Sequence, residues 1–144
     1  MSLVQSSPLL RKALALDAAA CAGMSLLLTT AAGPLAAPLG LPESLLRGAG
    51  IILLPCAVLL GLLASRKVLP RLAIYAVIGI NLVWIVDSIA ILLMGWFAPT
   101  GLGIAFVLAQ AAAVAIVTEL EVIGFRRSSA QAGAVLGADG ASLG

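Results

Sequence analysis

Four stretches of apolar residues, each long enough to be a membrane-crossing helix, constrain this chain more than any other feature. They run over about 13–32, 45–64, 72–96 and 101–125, and nine of the fourteen charged residues lie outside them. A helix needs about 20 apolar residues to cross a hydrocarbon layer roughly 30 Å thick. None of the runs shows the period-two alternation of a barrel strand, and each is too long for one. The expected fold is an all-α, integral-membrane four-helix bundle over residues 1–127. Composition points the same way. With 62% hydrophobic residues, 10% charged and a mean hydropathy of +1.21, there is too little charge to cover a water-facing surface.

The connections read as turns. "GPLAAPLGLPES" (33–44) holds three prolines, and "SRKVLPR" (65–71) is short and basic. In "FAPT" (97–100), Pro99 interrupts helix and Thr100 is placed to cap the fourth span. Residues 128–144, "SSAQAGAVLGADGASLG", turn small and nearly uncharged, so a flexible or loosely docked tail is expected.

The basic residues set an expected orientation. Arg11 and Lys12 precede the first span, Arg66, Lys67 and Arg71 join the second to the third, and Arg126 and Arg127 follow the fourth. Only Arg47 falls on the other side, which predicts cytoplasmic termini and a multi-pass membrane protein. A basic start followed by "TTAAGPLAA" also fits a cleaved signal, but the apolar run is long for that and contains Asp17.

Association of spans in lipid relies on close approach at small residues and on interhelical hydrogen bonds. Gly101, Ala105, Ala109 and Ala113 recur every fourth residue and are the expected packing face of the last span. Ala18–Ala22, Ala19–Gly23 and Ala57–Gly61 offer shorter versions.

Polar residues inside the spans need a reason to be there. Asp87, in "NLVWIVDSIAILLMGW" (81–96), is the most costly, at about 2.5–3.5 kcal/mol for an aspartate at helix centre. Asn81, Trp84 and Ser88 are read as sharing its side of the helix, with Gln110 of the fourth span as a further polar group. Arg47 is the expected partner of Asp87, clamping spans two and three. Asp17, Glu119 and Glu121 form a second group, expected to make interfacial salt bridges with Arg11, Arg71, Arg126 or Arg127.

The chain carries no histidine, the commonest metal ligand and general base. Cys21 and Cys56 lie in apolar stretches without ligand spacing, and no hydrolase, phosphate-loop or calcium-loop motif is present. The reading is therefore a non-enzyme with no catalytic residue, no metal and no cofactor. Its expected partners are membrane lipid and other membrane subunits or further copies of itself, with no nucleic acid; bound lipid or pigment is compatible with the apolar faces.

The stretches "LPESLLRGAGIILLP" (41–55) and "GWFAPTGLGIAFVLAQAAAVAIVTELE" (95–121) resemble small bacterial four-span inner-membrane proteins without an assigned activity. That resemblance covers roughly residues 9–127 and implies the fold but no site residue. Two functions are expected. The first is a non-catalytic accessory or scaffold subunit of a larger respiratory or photosynthetic type of complex. The second is a small oligomeric proton-linked transporter using an intramembrane carboxylate, with Asp87, Asn81 and Gln110 as its site.

Overall fold

The computed structural model describes the backbone of residues 2–141 and the side chains of residues 2–131. In order, the elements are β1 (Leu3–Gln5), α1 (Pro8–Thr30), α2 (Ala32–Leu39), α3 (Glu43–Ser65), β2 (Val68–Pro70), α4 (Arg71–Leu93) and α5 (Gly101–Ala141). Four of the helices are long and apolar enough to cross a membrane, as the hydropathy runs predict.

Local signals set the helix ends. Ser7 caps α1, its hydroxyl accepting from the Leu10 N–H at 3.2 Å, and Pro8 occupies the first helical position, where a missing N–H costs nothing. Thr100 caps α5 as expected, accepting from the Gly103 N–H at 3.1 Å while donating to the Pro38 carbonyl at 2.6 Å. The proline-bearing segment after α1 is not a plain turn. It folds into α2, because Pro34 falls in the first turn of the helix, where its ring is tolerated. Gly40 ends α2 in the left-handed region at φ 63°, and a side chain there would meet the Ala98 carbonyl at 2.6 Å.

α5 continues well past the expected end at Phe125, as one helix to Ala141, through residues rich in alanine. The expected tail thus begins as helix, and its last three residues, 142–144, lie outside the described residues. At the opposite terminus β1 pairs antiparallel with β2, Val4 opposite Leu69, which straps the N-terminus across the basic connection between α3 and α4.

The helices form an arc. α3 packs on α1, α1 on α5, and α5 on α4. Each neighbour pair runs antiparallel, as Ser25 against Gly50, Ser7 against Gly124 and Tyr75 against Phe125 show. α3 and α4 do not pack along one another, so a cleft opens between them. Two apolar cores fill the arc. One, around Leu10, Leu14, Leu60, Ile74 and Phe125, lies at the basic end. The other, around Leu28, Leu39, Leu46, Leu53 and Val107, lies towards α2.

The face that α5 packs differs from the expected one. Gly101, Ala105, Ala109 and Ala113 are exposed, whereas Gly103, Val107, Ala111, Glu121 and Gly124 are buried. Alanine-rich helices offer several small stripes, and the backbone approach selects among them. A Cβ on Gly124 would stand 2.7 Å from the Leu10 backbone, and one on Gly103 would run into the Leu39 carbonyl oxygen. Gly50 meets Thr29 in the same way. These glycines, not the regular stripe, are where helices come closest.

Candidate functional site

Between the two apolar cores, three polar side chains from three helices meet. Asn81 of α4 donates through Nδ2 to Asp17 Oδ2 at 3.1 Å and to Glu121 Oε2 at 3.2 Å. Asp17, Asn81 and Glu121 are 2%, 7% and 0% exposed. The second oxygen of Glu121 is buried and finds no donor among the described residues. The second oxygen of Asp17 has only the weak Cys21 thiol, at 3.8 Å. Two acids thus share a single amide, with an acceptor left over. Buried polar groups are almost always satisfied, so an orphaned carboxyl oxygen calls for an explanation.

The helices produce this meeting by register. α1 starts at Pro8, five residues before the expected start at 13, which sets Asp17 more than two turns inside the helix. Gly124 lets α5 approach α1 closely, carrying Glu121, three residues away, onto Asp17. Asn81 lies near the middle of α4, about 15 Å along from Arg71 at 1.5 Å per residue.

Expected salt bridges for the acidic group are absent. Among the described residues no cation reaches Asp17, Glu119 or Glu121. Arg11 instead donates through Nε to the Ala64 carbonyl at 3.1 Å, and Arg71 Nε is buried without an acceptor. Glu119 stays exposed, two residues round the helix from Glu121.

The expected Arg47–Asp87 clamp is not made either. Arg47 pairs with Glu43, one turn back on its own helix, at 2.5 Å, both side chains being about half exposed. A same-helix pair at this spacing orders fewer groups than one across a cleft. Asp87 is exposed and accepts no hydrogen bond among the described residues. Asn81, Trp84 and Ser88 do turn inward together. Asp87, next to Ser88, is rotated by about 100° from it and faces the cleft instead. Ser88 donates to the Trp84 carbonyl at 2.7 Å and is satisfied by its own helix.

Three cavities lie near the cleft, two of them beside Asp17. The outermost, about 320 Å³, is lined by Asp87, Trp84, Gln110 and Ser44 among apolar neighbours. Two smaller ones, about 70 and 100 Å³, are both lined by Asp17, Cys21 and Trp84, and the first also by Asn81 and Cys56. Trp84 lines all three. Volume separates their uses. A water occupies about 30 Å³ of liquid, so the inner cavities suit a few waters, whereas small-molecule sites begin near 300 Å³. No Lys or Arg lines any of the three.

The sequence pairs Asn81 with Asp87 and leaves Asp17 and Glu121 at an interface; the structure joins Asn81 to those two. Comparison with known proteins supplies no relative, since no family model, curated protein or solved structure matches the chain.

Proposed function

We propose that this protein is a small proton-linked carrier of a bacterial inner membrane, working as an oligomer, with Asp17, Asn81 and Glu121 as its proton site. The observation that carries this reading is the pair of buried carboxyls on one amide, with one Glu121 oxygen unsatisfied. Two adjacent carboxylates without a cation are strongly disfavoured in a low-dielectric interior. A proton held on the pair removes one charge and supplies the missing donor. The water-sized cavities beside Asp17 give that proton a way in and out. Intramembrane carboxyls in contact with water are the usual material of proton relays. The excess of basic residues at one end supports cytoplasmic termini.

Infrared difference spectroscopy on the protein in lipid tests the proton site. A protonated-carboxyl C=O band that shifts in deuterium oxide and disappears in Glu121→Gln is expected. A spectrum with no such band in the wild type refutes the proton site. Linkage to transport is then read in liposomes holding a pH-sensitive dye.

A second reading, an accessory subunit of a larger membrane complex, draws on one different observation. The Gly101, Ala105, Ala109 and Ala113 face of α5 is exposed and smooth enough for another helix to lie against it. Native mass spectrometry of the gently extracted protein distinguishes a heteromeric assembly from a homo-oligomer.

A further inference from the structure

We propose that the outer cavity between α3 and α4 binds the head of an amphiphilic organic cation that enters sideways from the lipid, its chain lying in the cleft. This names the substrate class of the carrier reading and rests on it for the link to protons, though not for the binding itself.

Charge complementarity selects the occupant. Asp87 presents an exposed carboxylate to a cavity that no Lys or Arg lines, and Arg47, on the helix that supplies Ser44 and Gly48 to the cavity wall, is engaged by Glu43. A carboxylate in such a setting repels an anionic head and gains little from a neutral one. An ammonium gains a direct ion pair, strengthened by the apolar walls. Trp84, in the same wall, brings an indole, the ring whose face attracts cations best. Gln110 and Ser44 supply polar atoms beside it without adding charge. At about 320 Å³ the cavity accepts a trimethylammonium-sized head with a few methylenes, whereas the inner cavities, at about 70 and 100 Å³, are too small for one.

The route follows from the helix arrangement. Because α3 and α4 do not pack along one another, the cavity wall includes Ile52 and Ile91, and Ile52 is largely exposed on the outer surface. An alkyl chain can therefore remain among apolar side chains while its head sits at Asp87. From there Asn81 is six residues back along α4, about 9 Å at 1.5 Å per residue. Trp84, between the two in sequence, lines both cavities. A cation at Asp87 is thereby close enough for its field to favour loss of a proton from the Asp17–Glu121 pair.

The test uses the full chain in nanodiscs of zwitterionic lipid, in a Trp96→Phe background that leaves Trp84 as the single tryptophan. The probes are 8-bromooctyltrimethylammonium and the neutral 8-bromooctyl glucoside, whose bromine quenches nearby indole fluorescence. Saturable quenching by the cation is expected, weakened about tenfold or more by Asp87→Asn, with the glucoside binding no better than in the variant. Gly48→Leu, which fills the cleft from an open position on α3, is expected to abolish it. Equal quenching by both probes, unaffected by Asp87→Asn, overturns the proposal and marks the cleft as a lipid-tail groove. Absence of quenching, with Trp84 shielded inside a homodimer, overturns it in favour of a second copy as occupant. Proton release, followed with an indicator dye, separates this inference from the carrier reading. Cation binding without release, in a protein whose Glu121→Gln variant binds equally well, upholds the cleft and removes the link to protons.

Discussion

Asn81 is the single donor that holds two buried acids, so replacing it by alanine isolates the strength of the site. The two acceptors it abandons are not equivalent. Glu121 is fully buried and lines none of the cavities, so nothing replaces the lost amide, at a cost of about 2–3 kcal/mol. Asp17 lines both inner cavities, where a water can take over the bond, and its share falls to about 1 kcal/mol or less. The mean for single interhelical bonds within membranes, about 0.6 kcal/mol, sets a floor near 1 kcal/mol for two. A loss of about 3 kcal/mol is thus expected for Asn81→Ala. Reversible unfolding by steric trapping in bicelles measures it. A double-mutant cycle with Glu121→Ala should return a coupling of about 1–2 kcal/mol, because without Glu121 the amide has less to satisfy. A total loss below about 1 kcal/mol, or a cycle that closes at zero, would refute the shared-amide account.

Three further perturbations test the packing around the site. Gly124→Ala drives a methyl into the Leu10 backbone and should cost about 1–3 kcal/mol, while Gly23→Ala and Gly79→Ala, which open onto empty space, should be neutral or stabilise by up to about 1 kcal/mol. The same unfolding assay reads all three; equal effects would mean that α1 and α5 are not in close contact. Arg47→Ala should cost no more than about 0.5 kcal/mol, and by the same amount with or without Asp87→Asn, since its partner is Glu43. A dependence on Asp87 beyond that would restore the interhelical clamp. Ser7→Ala removes both the cap on α1 and a donor to the Gly124 carbonyl at 2.8 Å, for a loss of about 1–2 kcal/mol. It should also speed amide exchange in the first turn of α1; unchanged exchange would count against the cap.

Hydropathy and turn chemistry made the helices legible, because span length and proline positions are local properties. The site was half legible. Gln110 and Glu121, eleven residues apart, do return to one face of α5, and Asn81 does turn inward with Ser88. What a helical wheel of α4 cannot reveal is which neighbour lies across from Asn81. That depended on α1 beginning five residues early and on Gly124 allowing the close approach that places Glu121. A signal for it was present: Glu121, Gly124 and Ser128 fall at three- and four-residue spacing on α5, and the structure buries all three. The cost of Asp87 within a span implies a polar surrounding or a partner, and Arg47 was the expected one. An open cleft between α3 and α4 is a property of the whole arc, invisible in any one helix.

The bridging of Asp17 by groups from α4 and α5 has a consequence for the order in which the chain is made. Asp17 leaves the ribosome first, and Glu121 follows 104 residues later. At roughly 5–20 residues per second that interval is about 5–20 s. Asn81 is made 64 residues after Asp17, so until then the first helix carries an acid with neither partner, and for the remaining 40 residues it has the amide but not Glu121. A nascent chain arrested before α5 therefore holds Asp17 without Glu121 and lacks the strand of contacts from Ser7 to Ser128 that closes the N-terminus. Only a chain that includes α5 completes the arc, so the last of the long helices to arrive commits the first to its place.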